Sequence, residues 1–165
     1  MKSVELIVAR DTKFGIGLNG KIPWRCRDDM LHFKKVTSRT IDPEKQNAVI
    51  MGRRTWESLN KPLVDRINIV LSSSPQLVPS CQTLKAAIKY ANKHPLVEKI
   101  FIIGGSQVYR EAMETLDVNT VWMTIIHREF PTDRNVRFLR SHLSLYLNNS
   151  LIVETDEYSI WKYSR

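Results

Sequence analysis

Two adjacent carboxylates, Asp28 and Asp29, interrupt the apolar opening of the stretch RCRDDMLHF at residues 25–33. Wound as a helix at about 100° per residue, Cys26, Met30, Phe33 and Val36 share one face. Projected from Cys26, Asp29 falls at about 300°, inside that face, and Asp28 at about 200°, on the far side with Lys35. Asp28 therefore reads as a solvated acid in a first helical turn, where the macrodipole favours it. Asp29 has no such easy place, because burying a carboxylate without a partner is costly. Two readings stay open for it: an internal ion pair or cap, or a ligand that presents paired donors to an acid in an apolar pocket.

Three glycine-bearing segments suggest anion chemistry. IIGGSQVY (102–109) sets Gly104 and Gly105 between an apolar strand and a helix. That is either a tight turn or a helix start whose N–H groups hold phosphate. It is not a G-x-G-x-x-G fingerprint, so the common dinucleotide-binding fold is not indicated. MGRRTW (51–56) puts Arg53 and Arg54 in the first turn of a helix, where the macrodipole disfavours cations. They are either a solvated pair or the binders of a polyanion. RDTKFGIGLNGKIPW (10–24) is a long glycine-rich loop, the kind kept as a lid or binding loop, or else a plain connector.

The elements that must position these residues alternate along the chain. Short Val- and Ile-rich stretches at 4–9, 47–51, 67–72, 99–104 and 120–126 predict strands. Helical patterns at 26–37, 53–59, 83–93 and 106–116 separate most of them. The expectation is an α/β fold: one mainly parallel twisted sheet with helices on both faces, forming a single domain over 1–165. The tail predicts two antiparallel strands joined by a turn near Thr155–Glu157. Ligands collect outside the carboxyl ends of such strands. That points to Ala9 onward, Gly52–Thr55, Ser72–Ser74, Gly104–Tyr109 and Thr124.

Composition narrows the class. With 165 residues, 42% hydrophobic and 25% charged, the chain is ordinary globular protein with no low-complexity tract. No apolar run approaches the length that spans a bilayer, and the N-terminus lacks a signal peptide's pattern, so a cytoplasmic protein is expected. Cys26 and Cys81 suit free thiols, and the four histidines have no ligand spacing, so no metal is expected. The net charge of +8 favours anionic partners. The cations are dispersed, without aromatic residues between them, which speaks against a dedicated nucleic-acid face.

Taken together in order and spacing, these segments resemble dihydrofolate reductase over essentially the whole chain. The likeness rests on IVA (7–9), GIGLNGKIPW (15–24), Asp29 with Phe33 and Thr37, VIMGRRTWES (49–58), RINIVLS (66–72), IIGGSQVY (102–109) and Thr124. It implies a monomeric reductase that passes hydride from NADPH to dihydrofolate and is open to antifolate inhibitors. Asp29 would be the pterin acid, supported by Thr124, with Trp24 beside it as a further catalytic position. Ile7, Val8, Met30, Phe33, Lys34, Leu59, Leu63 and Ile103 would line the substrate, and Arg66 would grip its glutamate carboxylate. For the cofactor, Arg53, Arg54, Thr55, Ser72, Ser73 and Ser74 match the adenosine-phosphate side. Gly104, Gly105, Ser106, Gln107, Val108 and Tyr109 match the pyrophosphate side, with a cis bond between the two glycines. Ala9, Gly15, Ile16, Gly17, Leu18, Asn19, Gly20 and Lys21 match the nicotinamide side and its lid.

Departures from the family pattern are local. RCRD before the acid is unusually basic, DRNVRFL after Asp133 lacks the usual aromatic-and-proline pattern, and Gln107 stands where some relatives carry a phosphate-facing arginine. The riboflavin-pathway pyrimidine reductase shares the cofactor side of this pattern but is not expected to share Asp29 and Arg66. A basic nucleic-acid-binding module is the rival of another class.

Overall fold

The computed structural model describes residues 1–165. Ten strands and five helices follow one another as β1 (Val4–Arg10), β2 (Gly15–Gly17), α1 (Arg27–Ser38), β3 (Gln46–Gly52), α2 (Arg53–Ser58), β4 (Arg66–Leu71), β5 (Ser80–Cys81), α3 (Leu84–Lys93), β6 (Val97–Ile102), α4 (Ser106–Thr115), β7 (Thr120–Ile126), β8 (Arg134–Asn135), α5 (Leu139–Leu143), β9 (Asn148–Glu154) and β10 (Tyr158–Ser164). The five strands and four helices expected from periodicity are all present, and so is the C-terminal hairpin. The elements not anticipated, β2, β5, β8 and α5, are each five residues or fewer. Pieces that short complete no hydrophobic period.

Eight strands form one sheet in the order β5-β4-β3-β6-β1-β7-β10-β9. Pairing is parallel from β5 to β7 and antiparallel across β7–β10–β9. Because side chains alternate along a strand, β1 feeds two different layers. Val4, Leu6 and Val8 enter the larger core with Leu84, Ile88, Tyr109 and Ala112 of α3 and α4. Ile7 faces the other layer with Val49, Met51, Val70 and Phe101, on which Phe33 and Val36 of α1 pack. A third cluster joins Trp24, Ile126, Tyr158 and Ile160.

The glycine-rich loop is more ordered than a connector requires. Leu18 and Lys21 close a two-residue turn through paired backbone bonds of 2.8 and 3.0 Å. Both central residues take positive φ, Asn19 at 52° and Gly20 at 78°, the conformation that favours Asn-Gly in such turns. β2 pairs antiparallel with β8. The Asn19 N–H donates to Asp133 Oδ2 at 3.1 Å, and the Asp133 N–H donates to the Gly17 carbonyl at 2.9 Å. So the DRNVRFL stretch holds this loop despite its departure from the family pattern. Approach is close: a Cβ on Gly15 would lie 2.5 Å from Thr132. At the lid's base, buried Asp11 accepts the N–H groups of Lys13, Gly15 and Phe130.

Candidate active site

α1 lies across the sheet with its first turn over β1 and β7. There the Thr124 hydroxyl donates to Asp29 Oδ1 at 2.6 Å. Thr124 sits opposite Ala9 in the β1–β7 register, so the acid's support comes from a strand side chain rather than from a loop. Burial pushes the Asp29 carboxyl above its ordinary range, and the Thr124 hydrogen bond pulls the other way. No lysine, arginine or histidine is within ion-pair distance of it. Of the readings left open by the sequence, the internal ion pair is therefore absent, and so is the cap, since Cys26 holds the N-cap position of α1 and no side chain caps it. A carboxylate in this setting wants donors from a ligand.

Asp28 is exposed, as the projection required, yet it is not free: the Tyr158 hydroxyl donates to its Oδ2 at 2.9 Å. Met30 departs from expectation. The projection set it on the buried face, but it is 70% exposed, and the face that packs on the sheet is carried by Phe33 and Val36. Nothing in the structure explains the basic flank of Arg25 and Arg27.

The apolar wall near Asp29 is one cluster. Ile7, Phe33, Leu59, Leu63 and Ile103 meet around Val49, Met51 and Phe101. Val8 does not join them, because strand alternation sends its side chain into the opposite core, so only its backbone can face this wall. Lys34 is exposed on the outer side of α1. Trp24 is buried on the lid side of the wall, its ring 5.5 Å from that of Phe130, and its indole N–H has no protein acceptor.

Arg66 lies at the other end of α1. It is 8% exposed, with Nε donating to the Val64 carbonyl at 2.8 Å and Nη1 donating to Thr37 Oγ1 at 3.0 Å. Burial lowers its pKa, with Asp65 opposing. A guanidinium has five N–H donors, so about three remain for a ligand. At about 1.5 Å rise per residue, the helix separates Asp29 from Thr37 by roughly 12 Å. The cleft thus offers an acid at one end, an arginine at the other and an apolar wall between.

The glycine segments converge beside this cleft. The Gly52 N–H donates to the Gly104 carbonyl at 2.9 Å, which brings the starts of α2 and α4 together. Neither helix start is capped by a side chain, so their N–H groups face outward unclaimed. A Cβ on Gly52 would lie 3.2 Å from Val108, and one on Gly105 would lie 3.8 Å from Thr55 Oγ1. The Gly104–Gly105 bond is cis. Arg53 is held by Glu57 at 2.7 Å, whereas Arg54 has no protein partner. Ser72 and Ser74 follow β4, their hydroxyls 3.3 Å apart, with exposed Ser73 between them. A cavity of about 390 Å³ lies between the lid tip and α2, lined by Asn19, Gly20, Lys21, Arg54, Glu57 and Ser58. Tyr109 stands apart from the other residues of this side. It is buried behind Gly104, and its hydroxyl donates to the Ile7 carbonyl at 2.7 Å, so it braces β1 rather than offering a polar group to a ligand.

Two asparagines not singled out in the sequence shape the arginine end. Asn68 binds the Leu63 N–H and the Leu63 and Arg66 carbonyls. Asn47 reaches the C-terminal end of α1. Their one sequence signal is a polar residue inside an otherwise apolar strand.

A family model described as dihydrofolate reductase matches residues 3–146. The dihydrofolate reductase of Drosophila melanogaster is 42% identical over 142 residues, covering 81% of this chain and 78% of its own. That of Aedes albopictus is 34% identical over 93% of this chain and 89% of its own. A bifunctional dihydrofolate reductase-thymidylate synthase of Daucus carota is 39% identical over 84% of this chain but only 29% of its own length. With a family match of that extent over a fold and a cleft of this form, the chain belongs to the dihydrofolate reductase family.

Proposed function

We infer that the protein reduces 7,8-dihydrofolate to tetrahydrofolate with NADPH as the reductant, adding hydride at C6 and a proton at N5. The observation that carries this reading is Asp29: a half-buried acid, bonded to Thr124, unpaired with any cation and set at the end of an apolar wall. Its carboxylate suits the 2-amino group and N3 of a pterin, two donors side by side. Held above the ordinary carboxyl range, it takes up a proton readily and assists protonation of N5. Arg66 receives the glutamate carboxylate with a planar fork, and Phe33, Leu59 and Leu63 pack the benzoyl group between them.

NADPH, when bound, supplies the hydride. Its phosphates fit the uncapped starts of α2 and α4, with Arg54 and the serines at 72–74 toward the 2′-phosphate. The lid residues from Gly15 to Lys21, with Ala9 and Trp24, exclude water from the nicotinamide side.

The test is direct: mixing NADPH, dihydrofolate and the protein should consume NADPH absorbance, and an antifolate should stop it. No consumption with dihydrofolate, or full activity with a pyrimidine substrate of the rival reductase, would overturn the reading.

A further inference from the structure

Asn47 and Arg66 are paired residues in the parallel β3–β4 register, so their side chains leave the sheet together on the α1 side. Asn47 is fully buried. Its amide donates to the Thr37 carbonyl at 3.0 Å and the Arg39 carbonyl at 2.8 Å, and its Oδ1 accepts the Lys99 N–H of β6 at 3.1 Å. It therefore claims two of the carbonyls that a helix leaves unpaired at its C-terminus.

Thr37, also fully buried, is the link. Its hydroxyl donates to the Phe33 carbonyl at 2.7 Å, which fixes the rotor, and accepts Arg66 Nη1 at 3.0 Å. No carboxylate lies within ion-pair distance of Arg66. The guanidinium is thus aimed by a hydroxyl and the Val64 carbonyl, with the Phe33 ring 6.0 Å away, none of which neutralises it. An arginine aimed by neutral acceptors keeps its charge for a ligand. One held by a carboxylate would not.

We propose that Asn47 is a positioning residue for substrate-tail recognition: by fixing the end of α1 it sets Thr37, and through Thr37 it sets the fork of Arg66. This rests on the assignment of Arg66 to the glutamate carboxylate. Asn47 touches neither substrate nor cofactor. Its effect falls on the tail of dihydrofolate and spares the pterin chemistry at Asp29, one helix length away.

The experiment compares KM and kcat for dihydrofolate and for 6-methyl-7,8-dihydropterin, which has no glutamate, in Asn47→Ala, Thr37→Val, Thr37→Ser and Arg66→Ala. Asn47→Ala and Thr37→Val should each raise the dihydrofolate KM by roughly tenfold, the scale of one misplaced hydrogen bond. The kcat, and both constants for the dihydropterin, should stay near the parent's. Thr37→Ser keeps the hydroxyl and should behave like the parent. The double variant Asn47→Ala/Thr37→Val should be little worse than either single one, because both act through one fork. Asn47→Ala raising KM for both substrates alike would mean a general structural role and overturn the proposal. So would an unchanged dihydrofolate KM in Asn47→Ala where Arg66→Ala raises it. If Arg66→Ala leaves that KM unchanged, the tail assignment itself falls. Should Asn47→Ala not fold, Asn47→Ser, too short to hold both helix-end carbonyls, takes its place in the same comparison, and a parent-like dihydrofolate KM in Asn47→Ser beside a raised one in Thr37→Val overturns the proposal.

Discussion

Asp28 and Asp29 are neighbours with opposite circumstances, and the difference is electrostatic. Asp29 exchanges water for Thr124 and an apolar wall, so its proton is held more tightly than in an unfolded chain. A carboxyl with a raised folded pKa contributes stability below the ordinary carboxyl range and loses it as pH rises through the raised value. Asp29→Asn should therefore raise Tm at neutral pH, and the gain should vanish in acid, as calorimetry at two pH values would read. The same variant should slow hydride transfer to dihydrofolate by about 10²- to 10⁴-fold, whereas Asp28→Asn leaves it nearly unchanged. Equal losses in stopped-flow traces would remove Asp29 from the mechanism. Thr124→Val deletes the one bond that favours the carboxylate, so the pH profile of the hydride step should move to higher pH.

Single elements carry the next level of argument. α1 is tied to the sheet at both ends, by Asp29 to Thr124 and by Thr37 to Arg66, which makes it a ruler between the two ends of the cleft. α2 carries two arginines with different commitments, since Glu57 occupies Arg53 and nothing occupies Arg54. Arg54→Ala should weaken NADPH much more than NADH in a binding titration, and Arg53→Ala should discriminate less. Similar losses for both cofactors would take the 2′-phosphate away from this helix. The lid depends on a glycine for reasons of space. Gly15→Ala drives a methyl into Thr132 and should loosen the β2–β8 pairing, seen as faster amide exchange from Gly17 to Lys21. Removing the obstruction with Thr132→Gly in the same chain should restore protection.

Across the whole molecule, a charge of +8 would attract the two proposed ligands, both anionic, before any contact forms. Association rates for dihydrofolate and NADPH should fall as ionic strength rises, while dissociation rates change little. Rates independent of salt would leave the charge without a role in capture. No helix is long and apolar enough to cross a membrane. The parallel sheet, the helix order and the singularity of Asp29 were legible without coordinates, because they follow from periodicities of two and 3.6 and from the cost of an unpaired charge. The helical projection singled out Asp29, and the rule that ligands gather at the carboxyl ends of strands pointed to Thr124, Gly104 and Arg54. That rule could not locate Arg66, which begins β4 at the opposite edge. Met30 left its projected face because a projection shows which face a side chain shares, not where the sheet beneath that face stops, and strand alternation turns the Val8 side chain to the opposite layer. The Tyr109 hydroxyl is spent on Ile7, 102 residues away, and Asn47 is tied to Lys99, 52 residues away, whereas Asn68 supports the cleft through the nearby Leu63 and Arg66. The sequence by itself thus determined the elements and the acid, which are local or periodic properties. Only the tertiary structure decided which polar groups are left free for a ligand, because that depends on hydrogen bonds between strands and helices distant in the chain.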